Sequence, residues 1–131
     1  MGSKTFLDFL PTNFRHEKSY FIQNNLTNFE KLSNLSDSDI NEILRKSSLC
    51  TLNNLKKIRA IAIFKKEIGI SPAEAYLLLH CGIGSIKSLS LSTPYDLLRK
   101  IGRLERSLRV KSKTEITVYL LKKWIKRANQ V

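Results

Sequence analysis

Along the whole chain the apolar residues fall three and four positions apart and almost never two, which is the spacing of short amphipathic helices and not of strands. The predicted fold class is therefore all-α. Five glycines and three prolines are the only strong breakers. The run Ala60-Ile61-Ala62-Ile63-Phe64 is apolar at every helical angle, so its helix, predicted over Asn53 to Lys66, belongs in the centre of the core. The last helix, predicted over Thr114 to Ala128, sorts its residues into two arcs. Ile116, Leu120, Leu121, Trp124, Ile125 and Ala128 share the apolar one, while Lys122, Lys123, Lys126 and Arg127 share the other with Tyr119.

The same apolar skeleton occurs twice. "LTNFEKLSNLSDSDINEIL" lies over "IGSIKSLSLSTPYDLLRKI" at an offset of 57 residues, pairing Leu26 with Ile83, Phe29 with Ile86, Leu32 with Leu89 and Ile40 with Leu97. Each copy has a polar break before a short helix, Ser36-Asp37-Ser38 or Ser92-Thr93-Pro94, and both breaks read as helix starts. Two similar helical units are expected: a degenerate one over residues 10–64 and a second over 66–128 with a basic last helix. Neither could bury much core alone, so residues 1–131 are expected to fold as a single domain.

Three glycine sites punctuate the second unit. In "EIGISPAEA", Gly69 supplies a turn, Ile70 a plug between helices, Ser71 a cap and Pro72 the first position of a helix reaching Leu79. The first amides of such a helix form an anion site that ignores base sequence, although Glu74 inside the same turn competes for them. Phosphate binding and a purely structural turn both remain open for Gly69 and Ser71. In "HCGIGSIKSL", Gly82 reads as a left-handed helix stop and Ile83 as a core plug, with Asn25 in the equivalent place of the first copy. The third site, Ile101-Gly102-Arg103, is expected to be a turn just beyond a short helix, flanked by Arg99, Lys100, Arg103 and Arg106.

The "GIS" turn resembles the helix-hairpin-helix family, with Ser71 standing where that family's second glycine usually sits. From Ile68 to Arg106 the chain is similar to the tandem helix-hairpin-helix-like domains of unknown function found widely in cyanobacteria. That resemblance implies an all-helical double unit and a nucleic-acid role, and it brings no catalytic residues.

Charge makes this picture more specific. The formal net charge is +12, which points to a polyanionic partner. The excess is concentrated between Arg99 and Arg127, where 11 Lys or Arg face only Glu105 and Glu115. Arg99, Arg103 and Arg106 recur at helical spacing, and Arg109, Lys111 and Lys113 read as a basic loop. With Gly102, Tyr119, Lys122, Lys123, Lys126 and Arg127 they form the expected contact set for a phosphate backbone, Tyr119 offering a stacking surface. The function expected is non-enzymatic binding of DNA or RNA without strong sequence preference. The alternative is an adaptor that docks an acidic protein through the same basic face.

Other chemistry is thinly represented. Cys50 and Cys81 lie in no metal or disulfide spacing, and His16 and His80 have no ligands near them in sequence. No nucleophile has a recognisable base beside it, so no enzyme, cofactor or metal is expected. The apolar stretches are too short for a signal peptide or a membrane span, and no apolar stripe adjoins the lysines to suit a membrane surface. A cytoplasmic location is expected. Met1-Gly2-Ser3 suits either a cloning remnant or a natural start.

Overall fold

The segment that is apolar on every side forms α4, Leu52–Glu67, and buries Leu55, Ile58, Ile61, Ala62 and Phe64 around its circumference. The structure is a computed structural model that describes residues 6–108 and 116–131. Two short 3-10 turns, Phe6–Phe9 and Thr12–Phe14, lead into α1, Arg15–Gln23, followed by α2, Phe29–Ser33, and α3, Asp37–Lys46. After α4 come α5, Pro72–His80, α6, Ile86–Ser90, α7, Pro94–Leu108, and α8, Val118–Gln130. All regular structure among the described residues is helical.

The packing runs in two sets. α2, α3 and α5 lie on α4, while α6 and α7 lie on α8. α5 also touches α7, so buried residues from Leu7 to Ala128 join in one hydrophobic cluster. Within it Phe14, Phe21 and Phe64 are almost fully buried, each contributing about 2–3 kcal/mol of transfer free energy.

Short polar side chains set where the helices begin. Ser36 accepts the Asp39 N–H while the Asp39 carboxylate accepts the Ser36 N–H, and Ser85 and Ser88 make the same reciprocal pair before α6. The Ser36 N–H holds the Asp39 carboxyl below its ordinary range. Thr51 caps α4 and Thr117 caps α8. The start of α4 has a second anchor, which its sequence does not announce. Glu17 of α1 is buried, and its Oε2 accepts the Thr51 N–H at 2.8 Å while its Oε1 accepts the Asn54 side-chain amide at 3.2 Å.

The helix stops are where they were expected. Asn25, at φ 57°, and Gly82, at φ 87°, both hold left-handed conformations. The next residue's N–H then reaches back into the helix, Leu26 to the Phe21 carbonyl at 2.8 Å and Ile83 to the Leu78 carbonyl at 2.9 Å. Gly69, at φ 88°, closes α4 in a related way, its N–H reaching the Phe64 and Lys65 carbonyls.

Two boundaries differ from expectation. Gly102 is not a turn: it sits inside α7, which runs on to Leu108. A glycine in a helix interior costs about 1 kcal/mol, less than is gained by keeping Leu97 and Ile101 buried and continuing their stripe to Leu104. The last helix starts at Val118 and not at Thr114, because the Thr117 hydroxyl accepts the Leu120 N–H and fixes the first turn there. Thr114 itself lies outside the described residues. No helix among the described residues is long and apolar enough to cross a membrane.

Candidate nucleic-acid interface

The turn between α4 and α5 is the first predicted phosphate site, and its own chain occupies most of it. Ser71 accepts the Glu74 N–H at 3.3 Å and donates its hydroxyl to Glu74 Oε1 at 2.7 Å. Pro72 carries no N–H, and the Ala75 N–H reaches the Ser71 carbonyl. The Ala73 amide is what remains of the first turn for an outside anion. The Glu74 carboxylate is buried against the positive end of the helix, where it satisfies the dipole that a phosphate would otherwise satisfy. Its Oε2 has no hydrogen-bond partner among the described residues.

Arg127 reaches this turn from α8. Its guanidinium donates to the Ile68 carbonyl at 2.8 Å. Its Nη1 also lies 3.4 Å from where a Cβ on Gly69 would stand. Gly69 and Arg127 therefore meet each other, and together they fasten α8 to the α4–α5 turn.

The turn around Gly82 borders a groove of about 490 Å³, lined by Gly84, Ser85 and Ile86 on one side and by Lys56, Arg59 and Ile63 on the other. Arg59 is engaged within the fold, donating to the Leu35 carbonyl and to Asp37 at 2.9 Å. Ile83 is buried as a plug, as predicted.

The cations of α7 and α8 face outward. On α7, Leu97 and Ile101 mark the buried side, which leaves Arg99 and Arg106 on the opposite side and Lys100 and Arg103 on the flank toward α5. Lys100 and Arg103 line a hollow of about 340 Å³ with His80, Cys81 and Leu104. Burial pushes the Cys81 thiol up, and nearby Lys100 partly offsets that. Arg99 at 2.6 Å and Lys100 at 3.3 Å hold Asp96, whose carboxyl they keep below its ordinary range, the Arg99 hydrogen bond foremost. Arg106 folds back over Gly102, its Nη1 3.5 Å from the place of a Cβ there.

On α8, Leu121, Trp124 and Ala128 are buried. The predicted polar arc divides in two. Tyr119 and Lys126 point directly away from the core, Lys122 leans to the flank toward α6 and α7, and Lys123 leans with Arg127 to the far flank. The join with α7 is direct, because the Lys122 ammonium stands 5.8 Å from the centroid of the Tyr95 ring. Asn129 extends the same seam by donating to the Ser90 carbonyl at 3.3 Å. Tyr95 is 68% exposed and Tyr119 80% exposed.

Arg99, Arg106, Tyr119, Lys122, Lys123 and Lys126 are all exposed, and the contact that joins the two helices' cationic faces is that of Lys122 with the Tyr95 ring. The structure places Gly69, Ser71 and Arg127 on another flank and turns Arg103 toward the His80–Cys81 hollow. Arg109, Lys111 and Lys113 lie outside the described residues. Tyr95 was missed at the sequence level, although its spacing of four and then seven from Arg99 and Arg106 put it on the same helix face.

Fold and surface together define an all-helical protein with a cationic, tyrosine-bearing face, and no group of three or more metal-binding side chains among the described residues. The chain belongs to the family described as a domain of unknown function (DUF4332), whose model matches residues 11–131. Comparison with curated proteins and with solved structures finds no match.

Proposed function

We propose that this protein is a non-enzymatic module that binds nucleic acid through its phosphate backbone, without strong sequence preference. The observation that carries the proposal is the charge on α7 and α8. Their eight cations face only two carboxylates, Asp96 and Glu105. Of those cations, Lys122 meets the Tyr95 ring of α7, and Arg99, Arg106, Lys123 and Lys126 are exposed on the same two helices. Exposed ion pairs such as Arg99–Asp96 are weak and exchange readily for phosphate.

The chain further reads as two helix-hairpin-helix-like units, α1–α4 and α5–α8. This is supported by the matching left-handed stops at Asn25 and Gly82 and by the matching packing of α2 on α4 and α6 on α8. The α4–α5 turn is given a structural role, because Glu74 fills its anion site.

A salt titration tests the function. Affinity for unrelated sequences should fall linearly in log salt, and a substitution that removes one phosphate-binding cation should lower the slope by about one. Reversing Arg106 and Lys126 to glutamate should weaken binding to all sequences alike, while reversing Lys31 and Lys46 should cost far less. Equal losses from the two pairs would show that net charge and not this face governs binding. Absence of binding at low salt to single-stranded, duplex and structured nucleic acid alike would eliminate the proposal and leave the adaptor for an acidic protein.

A further inference from the structure

We infer that Tyr95 and Tyr119 are base-stacking platforms, and that the ligand of this face is therefore single-stranded nucleic acid. The inference rests on the nucleic-acid function proposed above and names its substrate class. Two observations carry it.

The first concerns duplex binding. Open amides at a helix start hold a backbone phosphate whatever the bases do, and in the α4–α5 turn Glu74 lies over that start with the Ser71 hydroxyl bonded to it. The site that would read phosphate without touching bases is largely filled from within.

The second concerns the tyrosines. Tyrosine is ordinarily intermediate in burial, yet Tyr95 and Tyr119 are the two most exposed aromatic side chains among the described residues, at 68% and 80%. They stand on neighbouring helices with Lys122 between them: its ammonium is 5.8 Å from the Tyr95 ring, and it lies one helical turn beyond Tyr119. Lys126 continues the row. Two rings with a cation between them and a second cation one turn beyond make a surface on which bases stack while their phosphates meet ammonium groups. A duplex keeps its base faces stacked on one another, so it gains nothing from the rings. A single strand gains from both.

The test compares a thymine 20-mer single strand with a mixed-sequence duplex of the same length, at low salt, by fluorescence anisotropy. The single strand should bind at least tenfold more tightly. Tyr95→Leu and Tyr119→Leu should each weaken single-strand binding roughly 5- to 150-fold and leave duplex binding within twofold, whereas Tyr95→Phe and Tyr119→Phe, which keep the ring, should bind as the parent does. Both positions are exposed, so unchanged thermal unfolding will show that the fold is intact. Equal affinity for the two ligands, or leucine variants that bind the single strand like the parent, overturns the inference while the phosphate-binding function stands. Failure to bind either ligand overturns both.

Discussion

Replacing Gly82 by alanine separates backbone strain from packing. A Cβ at this position would meet nothing within 4 Å, so no atom has to move to admit it. The whole native-state cost is that of holding an L-residue at φ 87°, about 1–2 kcal/mol. Alanine also stiffens the unfolded chain, which returns about 0.4–1 kcal/mol. The central values leave a net loss of about 0.8 kcal/mol, a fall in Tm of roughly 3 °C for a chain of this size. Asparagine provides an internal reference, because Asn25 holds φ 57° with the same pair of backbone hydrogen bonds. Gly82→Asn should therefore recover much of the loss seen with alanine. Gly84 lies outside the left-handed region, and a Cβ there would meet Leu79 at an ordinary 3.8 Å, so Gly84→Ala should change stability by about 0.5 kcal/mol or less. Urea unfolding of the three variants decides the matter. If Gly82→Ala matches the parent, or if asparagine is no better than alanine, the left-handed stop is not what Gly82 supplies.

Four further outcomes follow from the same geometry. Gly102→Ala should stabilise the protein by about 0.5–1 kcal/mol in urea unfolding, because the site is helical and the only close atom is the mobile end of Arg106. Glu17→Ala should destabilise by about 1–3 kcal/mol in the same assay, since it leaves the Thr51 N–H without its acceptor and takes one of two from the Asn54 amide, which keeps the Asn13 carbonyl. Arg127→Met should lower stability by about 1 kcal/mol and leave nucleic-acid affinity within a few-fold, because Arg127 holds the Ile68 carbonyl and sits apart from the Tyr95–Lys122 seam. Asp39 and Asp96 are both held below the ordinary carboxylate pKa of 3.8, so the stability they add is present above that value and is lost as pH falls through their lower folded values. A thermal-unfolding series in acid should show Asp39→Asn and Asp96→Asn converging with the parent there.

Local chemistry accounts for what could be read from the sequence. Ser36, Ser71 and Pro94 marked helix starts, and Asn25 and Gly82 marked stops, because each of these signals acts within one turn of chain and needs no knowledge of the partner helix. Gly102 misled for the opposite reason. Its breaking tendency is worth about 1 kcal/mol, and a stripe of buried side chains on both sides of it outweighs that. Glu17 was invisible because its partners, Thr51 and Asn54, stand more than thirty residues away. The polar arc of α8 was drawn correctly as an arc, yet a helical projection holds no information about neighbours. It could not tell that Lys122 would meet Tyr95 while Arg127, on the same arc, would be drawn to Ile68.

The last helices of the two proposed units explain why the proposed binding face is assigned to the second. α4 is covered on most sides, and its cations hold the first unit together: Lys65 lies 5.0 Å from the Phe29 ring, Arg59 bonds Leu35 and Asp37, and Lys66 meets Asn34. A phosphate could recruit them only by loosening interactions the fold uses. α8 occupies the matching place at the edge, with one buried face made by Leu121, Trp124 and Ala128. There Arg127 is engaged with the Ile68 carbonyl and Lys122 with a ring, while Lys123 and Lys126 make no ion pair among the described residues. α7 adds to the difference. α3 ends at Lys46, the position that matches Arg103, whereas α7 continues to Leu108 and so carries one more exposed cation, Arg106. Of the two proposed units, only the one whose last helix is left uncovered can turn its cations toward a ligand at little cost to stability.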